Sequence, residues 1–74
     1  MVKQELVELM KWVIVDELEG VGAMNYMEIL LATEKFSGEK TIPVMFALDS
    51  LIQSGTVLVD FQTLPAEYSL RHDW

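Results

Sequence analysis

Apolar and polar positions along this chain fall into three helical periods followed by one alternating stretch. From about Lys3 to Leu18, Leu6, Met10, Val13 and Ile14 recur at helical spacing, flanked by Val2 and Leu9. Gly20 and Gly22 are expected to end that helix, and Val21–Met24 suits a short extended piece. A second helix opens at Asn25, a favourable N-cap, with Glu28 placed three residues later as in a capping box. Tyr26, Ile29, Leu30, Thr33 and Phe36 share one of its sides, and Gly38 stands where a left-handed C-terminal residue is needed. A third helix follows a short turn. Thr41 can cap it, and Pro43 suits a first turn, where its missing N–H costs nothing. Val44, Ala47, Leu48, Leu51 and Ile52 form its apolar stripe, and Gly55 stops it.

Beyond Gly55 the period drops to two. Val57, Val59 and Phe61 alternate with Thr56, Leu58 and Asp60, Leu64–Pro65 lies in a connection, and Tyr68, Leu70, His72 and Trp74 share one parity. Pairing Phe61 with Tyr68, Val59 with Leu70 and Val57 with His72 turns both apolar sets toward the helices. The expected fold class is α+β: a single domain over residues 1–74, with three helices and a C-terminal β-hairpin. No repeat, linker or low-complexity segment interrupts it.

The succession Asn25–Phe36, the turn Ser37–Lys40, the helix Thr41–Ser54, and Gly55–Phe61 with its return strand resembles the winged-helix superfamily. The run ALDSLIQSGTVLVDF is similar to the junction between recognition helix and wing in such domains. The resemblance covers nearly the whole chain and implies a three-helix winged-helix-like domain. It also implies DNA contact through exposed residues of the third helix and basic residues of the wing. The positions available for that role here are Lys35, Lys40, Gln53 and Arg71.

Charge pulls against the implied DNA contact. Five Lys and Arg stand against twelve Asp and Glu, a net charge of −7. Binding to duplex phosphates needs cations that release counterions, whereas an acidic chain suits a basic protein surface. The same charge also serves simply to keep an apolar domain in solution. Half of the residues are hydrophobic (51%), more than so small a sphere can hide, so apolar surface is left for a second copy or another protein.

The face of the third helix opposite its stripe presents Phe46, Asp49, Ser50 and Gln53. Base-edge readout favours Arg, Lys, Asn and Gln, so only Gln53 qualifies, and Asp49 repels phosphate. Phe46 is there either as an anchor for another protein or packed beneath the hairpin or the first helix. Met27 and Met45 lie near the core edge, where a flexible thioether can adapt to a partner. On the first helix, Trp12 and Val15 project among Glu5, Glu8, Lys11 and Glu19. They form either a second contact surface or the edge of a broad core stripe. Asp16, Glu17 and Glu19 gather near that helix's C-terminal end, where the dipole prefers cations. They meet a basic partner or make a solvated face. The expected protein-binding set is Trp12, Val15, Met45, Phe46 and Asp49, with Asp16, Glu17 and Glu19 as an acidic patch.

Other chemistry has little to stand on. Without cysteine there are no disulfides, thiolate metal sites or thiol nucleophiles, which fits a reducing cytoplasm. Lys3, Glu5 and Glu8 interrupt any secretory apolar region, and Trp12–Val15 is too short to span a bilayer. His72 is the single histidine and lacks ligands at zinc spacing. No strained Gly-x-Ser-x-Gly turn or phosphate-cradling glycine loop occurs. The expectation is therefore a cytoplasmic, non-catalytic protein-interaction module, a regulator or inhibitor without cofactor or metal. It would self-associate and bind a protein partner with a basic surface. A winged-helix transcriptional regulator that binds DNA is the alternative.

Overall fold

The computed structural model describes residues 4–37 and 41–71. The elements are α1 (Gln4–Val21), β1 (Ala23–Asn25), α2 (Tyr26–Ser37), α3 (Thr41–Gln53), β2 (Val57–Asp60) and β3 (Glu67–Leu70). Three helices pack with a small three-stranded antiparallel sheet of order β1-β3-β2, an α+β arrangement. The expectations for Val2, Lys3, Gly38, Lys40, His72 and Trp74, and for the side chain of Phe36, lie outside the described residues.

α1 runs past Gly20 and ends one turn later than expected. The chain turns left-handed only at Gly22 (φ 99°), whose amide donates to the Leu18 carbonyl at 2.8 Å. Its inward stripe is Val7, Met10, Val13, Ile14 and Leu18. Val7 takes the place expected of Leu6, which is only partly buried, and Leu9 is exposed.

The capping box at α2 forms as expected. The Glu28 amide donates to Asn25 Oδ1 and the Asn25 amide donates to Glu28 Oε1, each at 2.9 Å. Ile29, Ala32 and Thr33 are buried beneath it. The Thr33 hydroxyl lies 3.0 Å from the carbonyls of both Ile29 and Leu30, so its one proton stays satisfied in the core. Thr41 is already inside α3 rather than before it. Gly55 (φ 84°) closes α3 in a Schellman arrangement: its amide donates to Ile52 at 3.1 Å, and the Thr56 amide donates to Leu51 at 3.0 Å.

The hairpin departs from expectation by two residues. Val57 faces Leu70, Val59 faces Tyr68 and Asp60 faces Glu67. The cause lies at Asp60. Its Oδ1 accepts from the Gln62 amide at 2.9 Å, and its carbonyl accepts from the Thr63 hydroxyl at 3.1 Å. This side-chain turn takes the chain out of the strand before Phe61 can pair. A two-residue shift preserves parity, so Val57 and Leu70 still point into the core. Phe61 becomes an exposed loop residue. The extended piece expected near Val21–Met24 also does more than link helices. It pairs Ala23 with Ser69 and Met24 with Tyr68, which makes β3 the central strand.

The core joins Met10, Ile14 and Leu18 of α1 to Ile29 of α2, Val44 and Ala47 of α3, and Val57 and Leu70 of the sheet. Each large side chain among these contributes roughly 1.5–3 kcal/mol when fully buried. The Tyr26 hydroxyl is shielded from solvent and has no hydrogen-bond partner among the described residues. Burial first, and the neighbouring Tyr68 second, raise its pKa above that of a free tyrosine.

Candidate protein-binding faces

The outer face of α1 is organised around Trp12. Helical spacing puts Glu8 and Glu5 one and two turns before it and Asp16 and Glu19 one and two turns after. All four acids are exposed, and Trp12 itself is 75% exposed. A tryptophan with three quarters of its surface in solvent adds little to the core of its own domain. The alternative of a core-edge Trp12 is thereby excluded. Glu17 differs from its neighbours: it is half-buried and lies off this face, so the acidic patch is Glu5, Glu8, Asp16 and Glu19 rather than Asp16, Glu17 and Glu19.

Beside Trp12 the surface opens into a groove of about 260 Å³ between α1 and α3, lined by Glu8, Lys11, Trp12, Val15 and Leu51. Val15 does not project into solvent as expected. It is half-buried, packs against the core and forms apolar lining of the groove. The one cation at the groove is engaged, with Lys11 Nζ 2.7 Å from Glu8 Oε2. The Gln4 side-chain amide donates to the same carboxylate oxygen at 3.3 Å.

The outer face of α3 carries the second exposed aromatic. Phe46 is 57% exposed, so it is not packed under the hairpin or α1, and Met45 beside it is also exposed. Asp49 and Gln53 lie on the same side, and the Gln53 amide donates to Asp49 Oδ2 at 2.7 Å. That bond occupies the one side chain on this face suited to base readout.

Besides Gln53, two more of the residues named for nucleic acid can be placed. Lys35 is exposed in the last turn of α2. Arg71 follows β3, and its amide donates to the Thr56 carbonyl at 3.0 Å. Its guanidinium hangs over Gly55, where Arg71 Nη1 lies 3.1 Å from the point an added Cβ would occupy.

Sequence reasoning missed further exposed apolar groups. Leu31 joins Met27 on the outer side of α2, and Leu58, Phe61 and Leu64 stand out from the hairpin. The i, i+4 spacing of Met27 and Leu31, off the Tyr26–Ile29 side, was the available signal. Phe61 gave none, because its fate depends on the Asp60 turn. Among the described residues, no group of three or more His, Cys, Asp or Glu could hold a metal, and no helix is long and apolar enough to cross a membrane. Comparison with protein-family models, curated proteins and solved structures finds no match to the chain.

Proposed function

We propose that this chain is a non-catalytic protein-interaction module, a regulator or inhibitor on an acidic winged-helix-like scaffold, that self-associates and binds a protein partner. One observation carries the reading. Trp12 and Phe46 stand exposed on the outer faces of two helices whose inner faces already fill the core. Large aromatics held in solvent are the usual anchors of protein interfaces. The net charge of −7 favours a basic partner over another acidic surface, and the lack of cysteine suits a reducing cytoplasm.

The winged-helix resemblance draws support from the order of helices and strands, from the Schellman turn that carries α3 directly into β2, and from the pairing of β1 with the hairpin. This likeness also supports the second reading, a DNA-binding regulator using Lys35, Lys40, Gln53 and Arg71. Against it stand the Gln53–Asp49 bond and the exposed Phe46 on the helix that would enter a groove.

Self-association is assigned to the α3 face, where Met45 and Phe46 are exposed and acids are sparser than on α1. Sedimentation equilibrium tests it. A dimer that becomes a monomer in Phe46→Ala, with unchanged circular dichroism, supports the assignment. A wild-type monomer at every concentration contradicts it.

A further inference from the structure

We infer that the groove between α1 and α3 is the seat of a basic amphipathic helix from another protein, and not of a second copy of this chain. The inference rests on the protein-binding reading and names the occupant of one face. The floor and wall are apolar, made by Val15, Leu51 and the flank of Trp12, and the volume of about 260 Å³ admits one or two large aliphatic side chains. The ridge beside it is anionic. Glu8 lines the groove in an ion pair with Lys11, and Glu5, Asp16 and Glu19 stand exposed along the same outer face of α1, the four acids spanning about 21 Å of helix axis. A helix of similar length matches this strip if leucine-like residues face the groove and lysines or arginines flank them.

Charge complementarity decides between occupants. Two copies meeting through this face would form an isologous contact, and each residue would meet the same patch on its mate. The acids Glu5, Glu8, Asp16 and Glu19 would then face the acids of the mate beside a closing apolar surface. Desolvated like charges are unfavourable in that setting. A basic helix replaces this repulsion with ion pairs along the ridge and leaves the apolar contact intact. The excess negative charge of the whole chain further speeds its encounter with such a segment.

The test uses the full chain carrying Trp74→Phe, so that Trp12 is the only fluorophore of its kind. Three synthetic helical peptides are titrated at about 20 mM salt, where electrostatic attraction is least screened. The first alternates leucines and lysines at helical spacing, the second replaces every lysine with glutamate, and the third replaces every leucine with serine. The leucine–lysine peptide is expected to bind and shift Trp12 emission to the blue. The glutamate peptide should not bind, and the serine peptide should bind at least about tenfold more weakly. In a second format, with the peptide labelled, Trp12→Ala should weaken binding by at least about tenfold although every charge is retained. The oligomeric state of Trp12→Ala should match wild type.

Equal binding of the leucine and serine peptides would overturn the inference, as would unchanged Trp12 emission or no binding at all. Binding lost in Phe46→Ala but kept in Trp12→Ala would also overturn it, while leaving the protein-binding reading intact. Loss of the dimer in Trp12→Ala would assign the groove to a second copy instead.

Discussion

The Gln53 side-chain amide donates to Asp49 Oδ2 at 2.7 Å, one turn apart on the outer face of α3. A residue with the chemistry to read a base edge is thus paired with a carboxylate that repels phosphate. The pair is exposed, and such i, i+4 pairs contribute little to stability. Gln53→Ala is expected to lower stability by no more than about 0.5 kcal/mol in urea denaturation. A larger loss would mean that the pair holds α3 together rather than merely decorating it.

The two exposed aromatics should separate cleanly from the core in mutagenesis. Trp12→Ala and Phe46→Ala are each expected to change unfolding free energy by less than about 0.5 kcal/mol, because more than half of each residue's surface already lies in solvent. Ile14→Ala, at a fully buried site, should cost about 2–5 kcal/mol. If Trp12→Ala instead behaves like Ile14→Ala, the outer face of α1 is part of the fold.

Gly55 has a separate vulnerability. Its φ of 84° is left-handed, and only the end of the flexible Arg71 side chain crowds the place of a Cβ. The crowding atom is the far end of a long side chain, so the backbone conformation sets most of the cost. Gly55→Ala is expected to lose about 1–2 kcal/mol in chemical denaturation. Gly55→Asn should lose less, since asparagine tolerates this region better.

Tyr26 gives the fold a dependence on alkaline pH. Its pKa is raised in the folded state, by burial first and Tyr68 second, so the folded chain holds this proton where the unfolded chain has released it. The stability present below the unfolded tyrosine value of about 10 is therefore lost as pH climbs through the folded value. Tyr26→Phe is expected to flatten that loss. It should also raise stability at neutral pH by up to about 1 kcal/mol, because the deleted hydroxyl has no partner among the described residues. Denaturation midpoints of both proteins between pH 7 and strongly alkaline solution would show it. Parallel losses in the two would contradict it.

Much of this architecture was legible before any coordinates. The Asn25–Glu28 box, the Val44–Leu51 stripe and the Gly55 stop are local, each written in a few adjacent residues, and each forms as the pattern requires. The hairpin faces were legible for the same reason: parity survives a two-residue slip. The register was not, because alternation carries the strand on to Phe61, whereas the carboxylate of Asp60, the last paired residue of β2, turns the chain away. The third strand was only half legible, since a segment of three residues becomes a strand by finding β3 beside it. On α1, helical spacing sets Trp12 and Val15 on one outward face. The structure separates them, because Leu51 of another helix comes up beside Val15 and turns it into groove lining. Contacts of that kind come from tertiary placement and have no sequence period.

The central claim is that these surfaces recognise polypeptide and not a nucleic-acid duplex. Titration of a labelled random-sequence duplex with the full chain, at about 20 mM salt where phosphate attraction is strongest, addresses it most directly. No saturable binding at protein concentrations up to about 100 μM is expected, a level well above the typical non-specific range of duplex binders. Binding at micromolar concentration that weakens steeply as salt is added would contradict the account.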